Sequence, residues 1–193
     1  MKSVDKRQAI LEAAAKRFSR DGFHETKVGE IAEDAGIAKG TVYLHFKDKE
    51  SLLAEVVRYQ MSSYHKHIKE QMAPYESAAD KLRAFASHKV TEFPRMVKFY
   101  KLNFAHMLKF KANESFEQEM KAEHGVLFNF LVDVIQQGID RGEFREMNAT
   151  DAALIITGTM QAYMHTAMSG VVEEKNSEDA EALINLAIRG FAR

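Results

Sequence analysis

On a helix through Ile37-Ala38-Lys39-Gly40-Thr41-Val42-Tyr43-Leu44-His45-Phe46, Val42 and Phe46 stand four apart and face inward with Ile31 and Ala32. A rotation of about 100° per residue then puts Gly40 and Leu44 on the opposite side, flanked by Thr41 and Tyr43. Each outward residue has a use in a nucleic-acid groove. Gly40 lets the helix approach a groove wall, Thr41 and Tyr43 offer hydroxyls to phosphates, and Leu44 offers an apolar contact for a thymine methyl. Lys39, Lys47 and Lys49 surround them with positive charge. The alternative is a short surface helix with a stray tyrosine and leucine, and periodicity alone leaves both readings open.

Catalytic chemistry finds no comparable constellation. The string nearest to a nucleophile elbow, Gly36-Ile37-Ala38-Lys39-Gly40, has alanine where the nucleophile belongs, and no glycine-rich phosphate loop occurs. A helical di-metal site needs Glu-x-x-His on two helices, yet none of the eight histidines has a glutamate three residues before it. With no cysteines, thiolate metal sites, disulfides and thiol redox sensing are excluded. The expectation is therefore no catalytic residue, no metal, no cofactor and no enzymatic activity. A formal net charge of -1 argues against general polyanion binding, so any DNA contact must come from a local patch. The segment Met1 to Asp21 lacks the apolar core of a signal peptide, and nowhere do 18 apolar residues run together. The sequence thus predicts a cytoplasmic chain with no membrane partner.

The elements that would hold the groove-facing residues are helical. Two prolines and ten glycines leave long uninterrupted stretches whose apolar spacing follows the helical period. Helices are predicted over Val4 to Arg20, with Asp21-Gly22 as a stop, then Lys27 to Ala35 and Lys39 to Phe46 around the turn Ala35-Gly36-Ile37-Ala38. That is a helix-turn-helix spacing. A long helix from Lys49 to Gln71 follows, and later helices are expected at Ser77 to Phe93, Arg95 to Lys109, Ser115 to Arg141, Thr150 to Ser169 and Glu178 to Phe191. Pro94, Asn113, Gly142 and Asn148 punctuate them. The fold class is all-α: a three-helix head over residues 1–48, joined by a long helix to a larger bundle over 49–193.

Resemblance adds what spacing leaves open. Gly22-Phe23, Thr26-Lys27-Val28, Glu30-Ile31-Ala32, Ala35-Gly36-Ile37, Lys39-Gly40-Thr41-Val42-Tyr43, Phe46, Lys49-Glu50 and Leu52-Leu53 closely resemble the N-terminal signature of the TetR family. The match spans about Asp5 to Leu53. It implies a DNA-binding head in which Lys27 lies near a phosphate at the start of the second helix. Lys39, Gly40, Thr41 and Tyr43 then lie on the recognition helix, and His45 and Lys49 reach the DNA backbone. Ala38 departs from the pattern, standing where the family commonly places a capping serine. Further on, Gly138-Ile139-Asp140-Arg141-Gly142-Glu143-Phe144-Arg145 resembles the family's turn before its penultimate helices.

The implied function is a ligand-responsive transcriptional regulator, a repressor released from palindromic duplex operator DNA by a small hydrophobic effector. Two rivals remain: a non-catalytic helical adaptor and a helical enzyme. Ala152 to Met168 is apolar nearly all round, which asks for burial on two sides and hence a homodimer. Its small residues Gly158, Ala162 and Thr166, with Leu183, Ala187 and Phe191 on the last helix, are the expected interface. Thirteen phenylalanines and ten methionines exceed what one core needs. Phe85, Phe99, Tyr100, Phe104, Met107, Phe128 and Phe130 are therefore expected around a pocket for an acyl-chain or aromatic effector, with Asn103 and His106 as its polar contacts.

Overall fold

The computed structural model describes residues 5–111, 114–169 and 177–191; Val4, the expected start of the first helix, and Asn113 lie outside them. Among the described residues all regular structure is helical. The order is α1 Lys6–Glu25, α2 Val28–Asp34, α3 Lys39–His45, α4 Lys49–Met72, α5 Ala78–Lys111, α6 Glu114–Asp140, α7 Ala149–Met168 and α8 Ser177–Phe191. The chain divides into two compact units. The first joins the residues up to Ser63 with Arg95–Lys121, and the second joins Tyr64–Pro94 with Ala122–Arg193. Helices α4, α5 and α6 therefore each supply a part of both.

In the first unit the core is the apolar face of α1, with Ile10, Leu11, Ala14 and Phe18, closed by Ile31 and Ala32 of α2, Val42 of α3 and Leu52, Leu53 and Val56 of α4. Phe99 of α5 and Phe116 of α6 join this core, so the unit exceeds the 1–48 head expected from sequence. Phe99 thereby packs with the head rather than around an effector pocket. At Gly22 the first helix breaks with φ 79°, and the chain resumes helically to Glu25. A side chain there would be strained by that φ and would meet the Leu102 carbonyl oxygen at 3.1 Å, so glycine is required twice over. Buried Thr26 closes the break by donating its hydroxyl to the Gly22 carbonyl at 2.7 Å.

In the second unit, Leu82, Phe85, Ala86, Val90 and Phe93 of α5 are buried, as are Leu131, Val134 and Ile135 of α6, Ala153, Ile156 and Met160 of α7, and Ile184 and Ile188 of α8. The turn foreseen at 138–145 ties three elements together. The Glu143 amide donates to the Gly138 carbonyl at 2.9 Å, while the Glu143 carboxylate caps the start of α5 by accepting from the Ala78 amide at 2.8 Å. The Arg145 amide donates to the Phe191 carbonyl at the end of α8, at 2.9 Å. Asn148 caps α7 as its position suggested, accepting from the amides of Thr150 and Asp151.

Pro94 corrects one expectation. It does not separate two helices but lies inside α5. The missing amide leaves the Val90 carbonyl without its helical donor, a cost of about 3 kcal/mol in an isolated helix. Burial of Val90 and Phe93 before the proline and of Phe99 after it anchors the helix on both sides. The boundary between the two units falls directly after this residue.

Candidate DNA-binding surface

The recognition element is built from caps and turns. The Glu30 side chain reaches back to accept from the Lys27 amide at 3.4 Å, starting α2 in the manner of a capping box. After α2, Gly36 takes φ 68° and the Ile37 amide donates to the Ala32 carbonyl at 2.9 Å, which turns the chain sharply into α3. Ala38 precedes α3 with no side-chain cap, as its departure from the family pattern implies. The next helix compensates. Asp48 accepts from the Ser51 amide at 2.7 Å and Ser51 returns the contact to the Asp48 amide at 3.1 Å, so the Asp48 carboxyl is held below its ordinary range chiefly by the Ser51 amide. This capping pair has a sequence signal, Asp-x-x-Ser before an apolar run, directly ahead of the helix start expected and found at Lys49.

Helices α1 and α2 are braced by a bidentate pair: Arg17 of α1 donates Nε to Asp34 Oδ2 at 2.5 Å and Nη2 to Asp34 Oδ1 at 2.8 Å. Arg17 also reaches Glu30 at 3.5 Å. The paired guanidinium holds the Asp34 carboxyl low, and the carboxylate holds Arg17 protonated.

On this frame α3 turns Val42 and Phe46 into the core and leaves Lys39, Gly40, Tyr43, Leu44 and His45 exposed, with Thr41 half-buried. Leu44 is 84% exposed and Tyr43 48%. A Cβ at Gly40 would meet nothing within 4 Å, so no packing within the described protein demands glycine there. Lys27 stands exposed at the start of α2. Lys49 is partly withdrawn: its Nζ lies 4.3 Å from the Phe23 ring centroid and donates to the His24 carbonyl at 3.4 Å. Burial pushes its pKa down.

The nine residues expected around an effector divide between the units. Phe99, Tyr100, Asn103, Phe104, His106 and Met107 belong to the first, Phe85, Phe128 and Phe130 to the second. Asn103 is engaged in docking α5 on α1: its Nδ2 donates to the Phe18 carbonyl at 3.1 Å and the Phe99 carbonyl at 2.8 Å. His106 stacks on Phe23 with centroids 3.8 Å apart, and its Nε2 lies 3.0 Å from Nε2 of His24. Met107 packs against the head core. Tyr100 and Phe104 are exposed, and burial of part of the Tyr100 ring raises its hydroxyl pKa. Phe85 is fully buried and Phe128 half-buried.

Of the six interface residues, Gly158 and Ala162 are exposed on α7, and Thr166 is half-buried with its hydroxyl donating to the Ala162 carbonyl at 2.9 Å. Leu183 and Ala187 are half-buried on α8. Phe191 instead points into its own unit, edge-on to Phe144 with centroids 6.1 Å apart. Sequence reasoning missed Leu154, Ile155 and Leu186, which are exposed and apolar. They share the helical stripe of Gly158 and Ala162 or adjoin Leu183, a signal present in the i, i+3, i+4 spacing.

This geometry agrees with a helix-turn-helix regulator, and the comparison with known proteins gives the family. Residues 10–56 match the family described as bacterial regulatory proteins, tetR family, and residues 60–192 match the QacR-like protein C-terminal region. The chain belongs to the TetR family of DNA-binding transcription regulators. The fatty acid metabolism regulator protein of Bacillus subtilis (strain 168) is 27% identical over 159 residues, 81% of this chain and 80% of that protein. A TetR-family transcriptional regulator from Mesorhizobium loti superposes with a TM-score of 0.78 at 22% identity, over 99% of this chain and 96% of its own. The transcriptional regulator FadR of Bacillus subtilis, solved in complex with stearoyl-CoA, gives a TM-score of 0.69 at 23% identity, covering 95% of this chain and 98% of its own. These two structures have the same fold. Among the described residues no helix is long and apolar enough to cross a membrane.

Proposed function

We propose that this chain is a homodimeric repressor that grips a palindromic operator with α3 and is released from it by a small hydrophobic effector of acyl-chain type, held in the helical body over 49–193. The observation that carries the reading is the outward face of α3, where Tyr43 and Leu44 are exposed and nothing stands within 4 Å of a Cβ at Gly40. In the major groove Tyr43, Thr41 and Lys39 meet phosphates and base edges and Leu44 meets a thymine methyl, while Lys27, His45 and Lys49 contact the backbone.

The dimer reading is supported by the exposed stripe of Leu154, Ile155, Gly158 and Ala162 on α7. Beside it on α8, Ala182, Leu183 and Leu186 line a surface depression of about 400 Å³. Two-fold pairing of such faces places two α3 helices on half-sites about 34–36 Å apart, or a multiple of that.

The acyl-chain reading draws on the Bacillus subtilis fatty acid metabolism regulator protein and on the FadR complex with stearoyl-CoA. This reading assigns Phe85 and Phe128, both in the second unit, to the apolar lining of the effector site. Release requires the effector to bind the DNA-incompetent form more tightly, and a coupling of about 1–3 kcal/mol alters operator affinity roughly 5- to 150-fold.

The test is to select duplexes from a random pool with the purified protein, measure affinity for the winner across a salt series, and titrate lauroyl-CoA against the complex. A sequence preference, a steep salt dependence and release by the acyl compound are expected. Salt-insensitive or absent duplex binding would favour the adaptor reading instead.

A further inference from the structure

The second unit gathers half of the chain's eight histidines, His65 and His67 of α4, His88 of α5 and His124 of α6. Their rings form a connected group. His67 lies 4.8 Å and Tyr64 5.7 Å from His88, centroid to centroid, and Tyr64 lies 6.0 Å from His65. His65 is the buried member, 6% exposed, with its Nδ1 3.4 Å from Oε2 of Glu123 on α6.

Three helices face this imidazole. Helix α4 supplies Tyr64, His67 and Lys69, α5 supplies His88 and Glu92, and α6 supplies Glu123 and His124. Burial and Glu92 push the Tyr64 hydroxyl up, so Tyr64 stays neutral wherever histidines titrate. For His65 the largest influence is burial, which disfavours the charged ring. Glu123 favours the charged ring, but its side chain is 35% exposed and partly screened by water, and the positive charges of His124 and Lys69 oppose it. The balance holds His65 below its ordinary 6.5.

The position of His65 on α4 gives that balance a consequence. Helix α4 is continuous from Lys49 to Met72, with Leu52, Leu53 and Val56 buried in the head core and His65 and Ile68 buried in the second unit. A charged His65 is accommodated by turning toward water or by closing on Glu123, and either shifts α4 against α6. The same helix carries Lys49.

We infer that His65 is a proton sensor, and that its protonation in mildly acidic surroundings shifts α4 and weakens operator binding. The operator-bound form keeps the ring buried and neutral and so takes up a proton less readily than the released form. Linkage then makes acid favour release. This input is separate from the hydrophobic effector and acts without it.

The experiment measures the affinity of the full-length wild type and of His65→Gln for the selected duplex, at fixed ionic strength and without effector, from pH 7.5 to pH 5.5. Thermal melting checks that the variant folds. Acid also charges His45, assigned above to the DNA backbone, in both proteins, so the quantity read is the ratio of the two affinities. Relative to the variant, the wild type is expected to lose about three- to tenfold per protomer, tenfold being the limit for one proton bound at the ordinary 6.5 in the released form. A level ratio, or one that moves the other way, would overturn the sensor. A second measurement needs no variant to fold: the His65 ring resonances of the wild type are titrated by NMR, free and with the duplex. A midpoint below 6.5 in the free protein, and lower still with operator, is expected. A midpoint at or above 6.5, or one that operator leaves in place, would overturn the inference.

Discussion

The two units break the same burial rule in opposite directions. In the first, an apolar side chain, Leu44, is 84% exposed on α3, where water is the default neighbour. In the second, a cation, Lys89, stands half-buried on the apolar face of α5 with its ammonium beside the Phe85 ring. Leu44 becomes intelligible once a groove is supplied, whereas the Phe85 ring already gives the Lys89 ammonium a neighbour. Functional residues stand out where their chemistry contradicts their surroundings, and stay hidden where it agrees. The phenylalanines of the second unit illustrate the hidden case, because a ring that packs a core and a ring that lines a pocket have the same chemistry.

The comparison can be sharpened by separating those rings. Phe85→Ala removes a fully buried side chain and is expected to lower stability by about 3–5 kcal/mol. Phe104→Ala, at a position 55% exposed, is expected to cost less than about 0.5 kcal/mol. Urea denaturation of the two variants measures both. A large loss at Phe104 would place it in a core that the structure does not give it.

The head was legible in the sequence because many positions there must satisfy caps, turns and an outward chemistry at once. Val42 and Phe46 face inward and Gly40, Tyr43 and Leu44 outward, as a single rotation of 100° per residue predicts. The boundaries of α5 were less so, because a proline reports a local cost, while the burial on either side of Pro94 that offsets it is tertiary. The polarity of Asn103 and His106 among apolar neighbours in the sequence points to ligand contacts. The structure engages them with Phe18, Phe23 and His24, partners about 80 residues away that no local pattern reveals.

A smaller effect bears on Lys89. Lys89→Met replaces a half-buried cation with an apolar side chain of similar length and is expected to raise stability modestly at pH 7. The sign of its pH dependence follows from linkage. With the folded-state pKa of Lys89 depressed below its ordinary 10.5, the unfolded chain binds more protons in the window between the two values, so wild-type stability gains on the variant as pH rises through that window. The stability gap between the two proteins should therefore be largest at neutral pH and shrink toward pH 10.5. A constant gap across that range, followed by chemical denaturation, would mean that Lys89 ionises as freely in the fold as in the open chain.

Smaller still is the effect on stability of Gly40→Ala. Nothing stands within 4 Å of the added Cβ, and alanine is the better helix former, so the head should gain up to about 1 kcal/mol. The same methyl lies on the surface proposed to approach the groove wall, so operator affinity should fall while stability rises. Opposite signs in the two measurements distinguish a groove-facing glycine from one on an idle surface, for which affinity would follow stability or stay level.

The central claim is that the outward face of α3 reads DNA, and Tyr43 is its most direct test because it is half exposed and absent from the core. The measurement is the equilibrium affinity of wild type and Tyr43→Ala for the duplex selected by the wild-type protein, at one fixed salt concentration, with thermal melting to verify the fold. The account predicts a loss of tenfold or more for that duplex, about 1.4 kcal/mol, with little change for an unrelated sequence. Equal affinity of the two proteins for the selected operator would contradict it and remove α3 as the recognition helix.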